Sequence, residues 1–133
     1  VVFVGDPAQR IAEDVLRILR FFRFHAFYGS GEPDPVALKA CRAAAGKISS
    51  LSKERITQEF FKILSAEKPH EILSLMFAHD VLKAFQFSSY DSKLLEHVCT
   101  FQSRYGLAFI AARLLVLAGF DALNVQAFEK YLL

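Results

Sequence analysis

The chain has 133 residues, 53% hydrophobic and 23% charged. That excludes a disordered segment and allows one compact domain or an elongated stack of helices. A formal net charge of +2 excludes bulk electrostatics as a source of nucleic-acid binding, so any RNA contact must come from local arrangement of Arg and Lys.

The punctuation along the chain is helical. Val1 to Val4 is the only stretch with strand-like character. Asp6-Pro7 is an N-cap followed by a first-turn proline, with Gln9 at the capping-box position. Ile11, Val15, Ile18, Leu19 and Phe22 then recur at helical spacing. This segment runs to about Tyr28 and stops at Gly29-Ser30-Gly31, either as one helix or broken near Asp14. Glu32-Pro33-Asp34-Pro35 is a rigid loop ending in a second cap-plus-proline signal. A helix over 36–45 ending at Gly46 follows, then one over 53–64 capped by Ser52, with Ile56, Phe60 and Ile63 on one face. Pro69 opens another, 80–87 forms a short one, Asp91 caps a helix to about Tyr105, and 107–118 and 122–133 close the chain. The expected architecture is all-α, an array of about seven helices.

The first long segment carries the pattern most suggestive of chemistry. At 100° per residue from Arg10, the residues Arg10, Glu13, Asp14, Arg17 and Arg20 fall within about a third of the circumference of one helix. Ile11, Val15, Ile18, Leu19 and Phe22 face away from them. A ribbon whose only cation is Arg points to planar, multi-point hydrogen bonding. Asp14 offers acceptors and Arg17 donors, so together they can present an edge to a flat heterocycle, as side chains do when reading base edges. Glu13 can fix the Arg17 guanidinium at i, i+4 spacing. The plain alternative is a solvated, salt-bridged helix face.

These residues carry a resemblance. Phe3-Val4-Gly5-Asp6-Pro7, Arg10-Ile11, Glu13-Asp14 and Leu16-Arg17-Ile18-Leu19-Arg20-Phe21-Phe22-Arg23-Phe24 are similar to a hallmark of the class II tRNA nucleotidyltransferase (CCA-adding) and bacterial poly(A) polymerase family, whose core is Glu-Asp-x-x-Arg-x-x-Arg. The resemblance implies that Asp14 and Arg17 pair with the base of CTP or ATP and that Glu13 supports Arg17. Arg20 would face the nucleotide or a neighbouring head domain, and Arg10 would be a supporting residue. A second block, Glu54-Arg55-Ile56 to Glu59, Phe60 and Lys62, resembles the family's Glu-Arg-(x)3-Glu-x-x-Lys. It implies that Glu54, Arg55, Glu59 and Lys62 lie on a helix bracing the selecting one. Arg55 and Glu59 also have the spacing of an i, i+4 ion pair with each other. The resemblance is specific up to Leu64 and weak beyond.

The family's catalytic metal ions, Mg2+ in the whole enzyme, sit on an Asp-x-Asp next to a Gly-rich turn in an N-terminal head. This chain has no Asp-x-Asp and no Gly-Gly pair. Its one acidic i, i+2 pair, Glu32 and Asp34, reads as a turn and cap. With no initiating Met, and opening within an apolar run, the chain is expected to be a fragment that is inactive alone. Residues 1–66 would form the neck, 67–133 the tRNA-binding body, and the catalytic head would be absent. Its expected partners are the tRNA 3′ end, CTP, ATP and that head. The alternatives are part of a poly(A) polymerase and a non-enzymatic helical RNA-binding module.

Other residues carry blander readings. Cys41 and Cys99 lack metal-ligand spacing and read as reduced thiols in a cytoplasmic protein. Val1 to Val4 has no basic flank and is followed at once by Gly5-Asp6-Pro7, so a signal peptide is not expected there. The apolar stretch 107–120 is interrupted by Arg113 and falls short of the about 20 residues of a membrane span. His79-Asp80 reads as a helix boundary rather than a metal site, and His25 and His97 as core or boundary packing. Lys39, Arg42 and Lys47 are either RNA-backbone contacts or a solvated face.

Overall fold

A computed structural model describes residues 3–85, 92–106 and 113. Within them lie six α-helices: α1 (Pro7–Glu13), α2 (Arg17–Tyr28), α3 (Pro35–Ala44), α4 (Lys53–Leu64), α5 (Pro69–Ala78) and α6 (Ser92–Arg104). Two 3-10 segments, Ala45–Ser50 and Val81–Phe85, complete the order. The chain is all-α among the described residues. The expected Asp91 cap and the helices expected over 107–118 and 122–133 lie outside the described residues, apart from Arg113.

The helix starts follow from short polar side chains. Asp6 accepts from the Gln9 amide at 3.2 Å, Asp34 from Val36 at 3.3 Å and Ser52 from Arg55 at 3.3 Å. Each satisfies an amide that the first turn leaves without a carbonyl. Pro7, Pro35 and Pro69 occupy first positions, where the missing N–H costs nothing.

Three local expectations need correction. Phe3 and Val4 form no strand. Phe3 instead stacks on Phe21 at 5.3 Å between ring centroids, while Val4 stands in solvent. Gly46 does not end the second helical segment. The chain tightens into the 3-10 turn because Ser49 Oγ donates to the Gly46 carbonyl at 3.1 Å and Ser50 Oγ to Lys47 at 2.6 Å, satisfying carbonyls that a helix end exposes. His97 is exposed on α6 rather than packed.

α1 packs on α3, α2 on α4, and α5 on α6, with α5 also meeting α2 and α4. One core runs through all of them. Ile11, Ile18, Leu19, Phe22, Phe60, Ile63, Leu64, Leu73, Met76 and Leu95 are almost fully buried. Each such side chain contributes about 1.5–3 kcal/mol on leaving water. Arg113 is also buried. Its Nη1 donates to the carbonyls of Leu64 and Ala66, and its Nε to Gln102 Oε1 at 2.9 Å.

Candidate nucleotide-selecting site

α1 and α2 are two helices, and the join between them builds the site. α1 ends at Glu13, and Asp14 is extended, with φ −153° and ψ 107°. The single ribbon expected from Arg10 to Arg20 therefore does not exist as one helix face. Asp14 makes the break favourable locally. Its Oδ1 accepts from the Leu16 amide at 3.1 Å, an Asx-type turn, and the Arg17 amide donates to the Asp14 carbonyl at 3.0 Å. α2 has no side-chain N-cap of its own, so this turn delivers the chain into it.

The break still brings three of the five ribbon residues together. Glu13 Oε2 accepts from Arg10 Nη1 at 2.7 Å and from Arg17 Nη1 at 2.6 Å. Arg17 Nη1 also donates to the Arg10 carbonyl at 2.7 Å. The hydrogen bond from Arg17, with the charges of Arg10 and Arg17, outweighs desolvation and lowers the Glu13 pKa. Arg17 is thus held by one terminal nitrogen, and its Nε and Nη2 make no hydrogen bond with any described residue. Those atoms form a planar donor edge on a side chain that remains about a quarter exposed.

Asp14 does not pair with Arg17. Its carboxylate accepts from Arg55 Nη2 at 3.0 and 3.3 Å, across from α4. Burial alone would raise its pKa, but the Leu16 amide and the Arg55 guanidinium prevail and lower it. A carboxylate offers about four lone-pair positions, so these contacts leave capacity for one further donor such as an exocyclic amine.

The remaining α4 contacts also differ from the expected i, i+4 pair between Arg55 and Glu59. Each of those residues reaches across to the first segment instead. Glu59 is buried, with Arg20 Nε 3.5 Å from one oxygen and Arg23 Nε 3.2 Å from the other. Arg20 therefore joins α4 rather than the Glu13 cluster. Arg23 lies in the resembled motif without an expected role, though its spacing from Arg20 equals that of Arg20 from Arg17. Glu54 lies in the first turn of α4 and is exposed, as is Lys62 near its end.

The other singled-out residues sit apart. Asp80 adopts a left-handed φ of 63° at the end of α5 and pairs with Arg42 at 3.4 Å and Lys83 at 3.3 Å. His79 Nδ1 lies 2.9 Å from the Leu75 carbonyl. Asp34 is committed to its cap. Among the described residues no three His, Cys, Asp or Glu converge in a metal-binding group. These residues do not fit a catalytic Mg2+. No described helix is long and apolar enough to cross a membrane.

A helix-turn-helix presenting Arg17 and Asp14, tied to a third helix by Arg55 and Glu59, matches the order of both resembled motifs. Residues 32–88 match the family described as "Probable RNA and SrmB- binding site of polymerase A". A stretch of 83 residues, 61% of this chain, is 41% identical to the human protein named CCA tRNA nucleotidyltransferase 1, mitochondrial. Over roughly half of its length or a little more, the chain is similar to CCA-adding enzymes. The CCA-adding enzyme of Streptococcus suis is 42% identical over 48% of this chain, and that of Limosilactobacillus fermentum 37% over 55%. The match spans 19% of the human protein, 16% of the streptococcal one and 18% of the lactobacillar one.

Proposed function

We propose that the chain is the base-selecting neck (1–66) and RNA-binding body (67–133) of a cytoplasmic enzyme that adds CMP and AMP to the 3′ end of tRNA. The observation that carries this is the Glu13–Arg17 ion pair at the α1–α2 break. It fixes a guanidinium with a free donor edge beside a carboxylate that keeps acceptor capacity. Cytosine and adenine each display an exocyclic amine next to a ring nitrogen acceptor. Asp14 accepts from the amine and Arg17 donates to the acceptors. Uracil and guanine place a carbonyl where the amine would be, facing Asp14 with like polarity. In the reaction the RNA 3′-hydroxyl attacks the α-phosphate of CTP or ATP and pyrophosphate leaves. Mg2+ and its carboxylates are assigned to a head domain outside these residues.

Substituting Asp14 or Arg17 with Ala in the full-length protein should raise incorporation of UTP and GTP by about ten-fold or more, the scale of a lost base-edge contact pair. Unchanged nucleotide preference would refute the assignment. The matched family's description names polymerase A, which favours poly(A) addition as a second reading. Incorporation on a tRNA lacking its CCA separates the two. Synthesis that stops after C, C and A supports the first, and repeated addition of A alone supports the second.

A further inference from the structure

We infer that the exposed face of the second half of α2 is a stacking platform for unpaired nucleotides of the RNA substrate. This rests on the tRNA reading above and adds a site to it. At 100° per residue, Arg17, Arg20, Phe24, Phe27 and Tyr28 fall within about 100° of arc, opposite the buried Ile18 and Phe22. One helix face thus carries donors first and aromatic rings after them. Phe24, Phe27 and Tyr28 are 41%, 47% and 79% exposed, so none of the three is spent on the core.

The rings border a recess of about 280 Å³ whose other walls are Arg23, Lys62 and Ser65. The Tyr28 ring lies 6.4 Å from that of Phe24 and 6.3 Å from that of Phe27. The Arg23 guanidinium sits 4.7 Å over the Phe24 ring, which adds a planar cation to the platform.

Charge selects the occupant. Arg20 and Arg23 share the single carboxylate of Glu59, leaving an excess of positive charge, and exposed Lys62 adds to it. Aromatic faces beside excess cations suit bases stacked over a phosphate backbone. Tyr28 lies about 16 Å along the helix from Arg17, too far to serve the selected nucleotide, so the platform holds RNA upstream of the growing end. Stacking does not read base identity, which suits that role. Lys62 and Ser65 lie inside the segment that matches the RNA-binding family, and the aromatic rings extend the surface beyond it.

The test uses the full-length protein and a labelled tRNA transcript lacking its CCA, with affinity measured across a salt series. The Phe27→Ala/Tyr28→Ala double variant should weaken tRNA binding at least ten-fold while leaving KM for CTP and ATP unchanged. Tyr28→Phe should restore most of the loss in that ring, because the hydroxyl is not needed for stacking. Lys62→Gln should reduce the slope of log K against log salt by about 0.7–0.9. Unchanged tRNA affinity in the double variant overturns the inference. A lowered Tm with unchanged affinity also overturns it and shows that the rings are covered by protein. Wild-type protein that binds no tRNA would sink the tRNA reading itself, a different outcome from failure of the platform alone.

Discussion

Glu59 is a buried carboxylate whose charge the packing of α2 on α4 depends on. It is 4% exposed, and two guanidiniums converge on it. Glu59→Gln removes the charge and keeps the shape. The Arg20 side chain is 44% exposed at 3.5 Å, so its pair contributes only a few tenths of a kcal/mol after solvent screening. Arg23 is different, because its side chain is only 17% exposed and is left as a nearly buried cation without a counter-charge. Breaking a buried pair in this way costs about 3–5 kcal/mol. The Arg23 approach lacks hydrogen-bond alignment, since neither its Nε nor Glu59 Oε2 has a hydrogen-bond partner, so the lower end applies. The expected cost is about 3 kcal/mol, or a fall in Tm of roughly 10 °C, read by thermal unfolding at neutral pH. Adding Arg23→Met to Glu59→Gln should recover part of it, because the orphaned charge goes too. A single variant within about 0.5 kcal/mol of wild type, or a double variant no better than the single, would refute the reasoning.

Three further outcomes are expected. Gly29→Ala should destabilise the protein by at least about 1 kcal/mol, because an added Cβ would collide with His25 Nδ1. Chemical denaturation measures it, and a neutral result would mean that His25 turns away freely. Burial pushes the Cys41 thiol up to about 12, so its contribution is complete below the unfolded value near 9 and lost as pH rises toward 12. Cys41→Ala should therefore flatten the alkaline loss of stability, and native Cys41 should resist thiol reagents until unfolding. The Asp14 pKa is lowered in the fold, so its contribution is present above its ordinary value of 3.8 and lost as pH falls through the folded value. Arg55→Ala should cost about 0.5–1 kcal/mol at pH 7, shrink that acid-side loss and reduce activity. Activity loss without any destabilisation would argue against a bracing role for Arg55.

What was legible in the sequence is what depends on near neighbours. Asp6, Asp34 and Ser52 act on amides two or three residues away, and the prolines that follow two of them reinforce the same signal. The Glu13–Arg17 pair likewise spans one turn and appears as its spacing predicts. The break at Asp14 was only an option, because it exchanges a helical turn for an Asx turn and a bond to Arg55, 41 positions away. The partners of Glu59 escape local spacing for the same reason. An i, i+4 neighbour exists on its own helix, but burial against α2 offers two guanidiniums instead. The ribbon's physical premise, one continuous helix, failed, while the residue types it singled out still meet at the join.

The buried Arg113 has a consequence for how the chain comes together. It holds carbonyls at the end of α4, 47 and 49 positions earlier. Those carbonyls are made long before their partner leaves the ribosome. Until then the carbonyls of Leu64 and Ala66 lack the guanidinium that the finished fold gives them. Such a distant closure makes the arrival of Arg113 a folding checkpoint, since contacts of high sequence separation form late and at an entropic cost. A nascent chain ending before residue 113 would hold helices in place but leave their seam open. Completion of the seam, rather than formation of any one helix, would then mark the moment when the protein resists proteolysis.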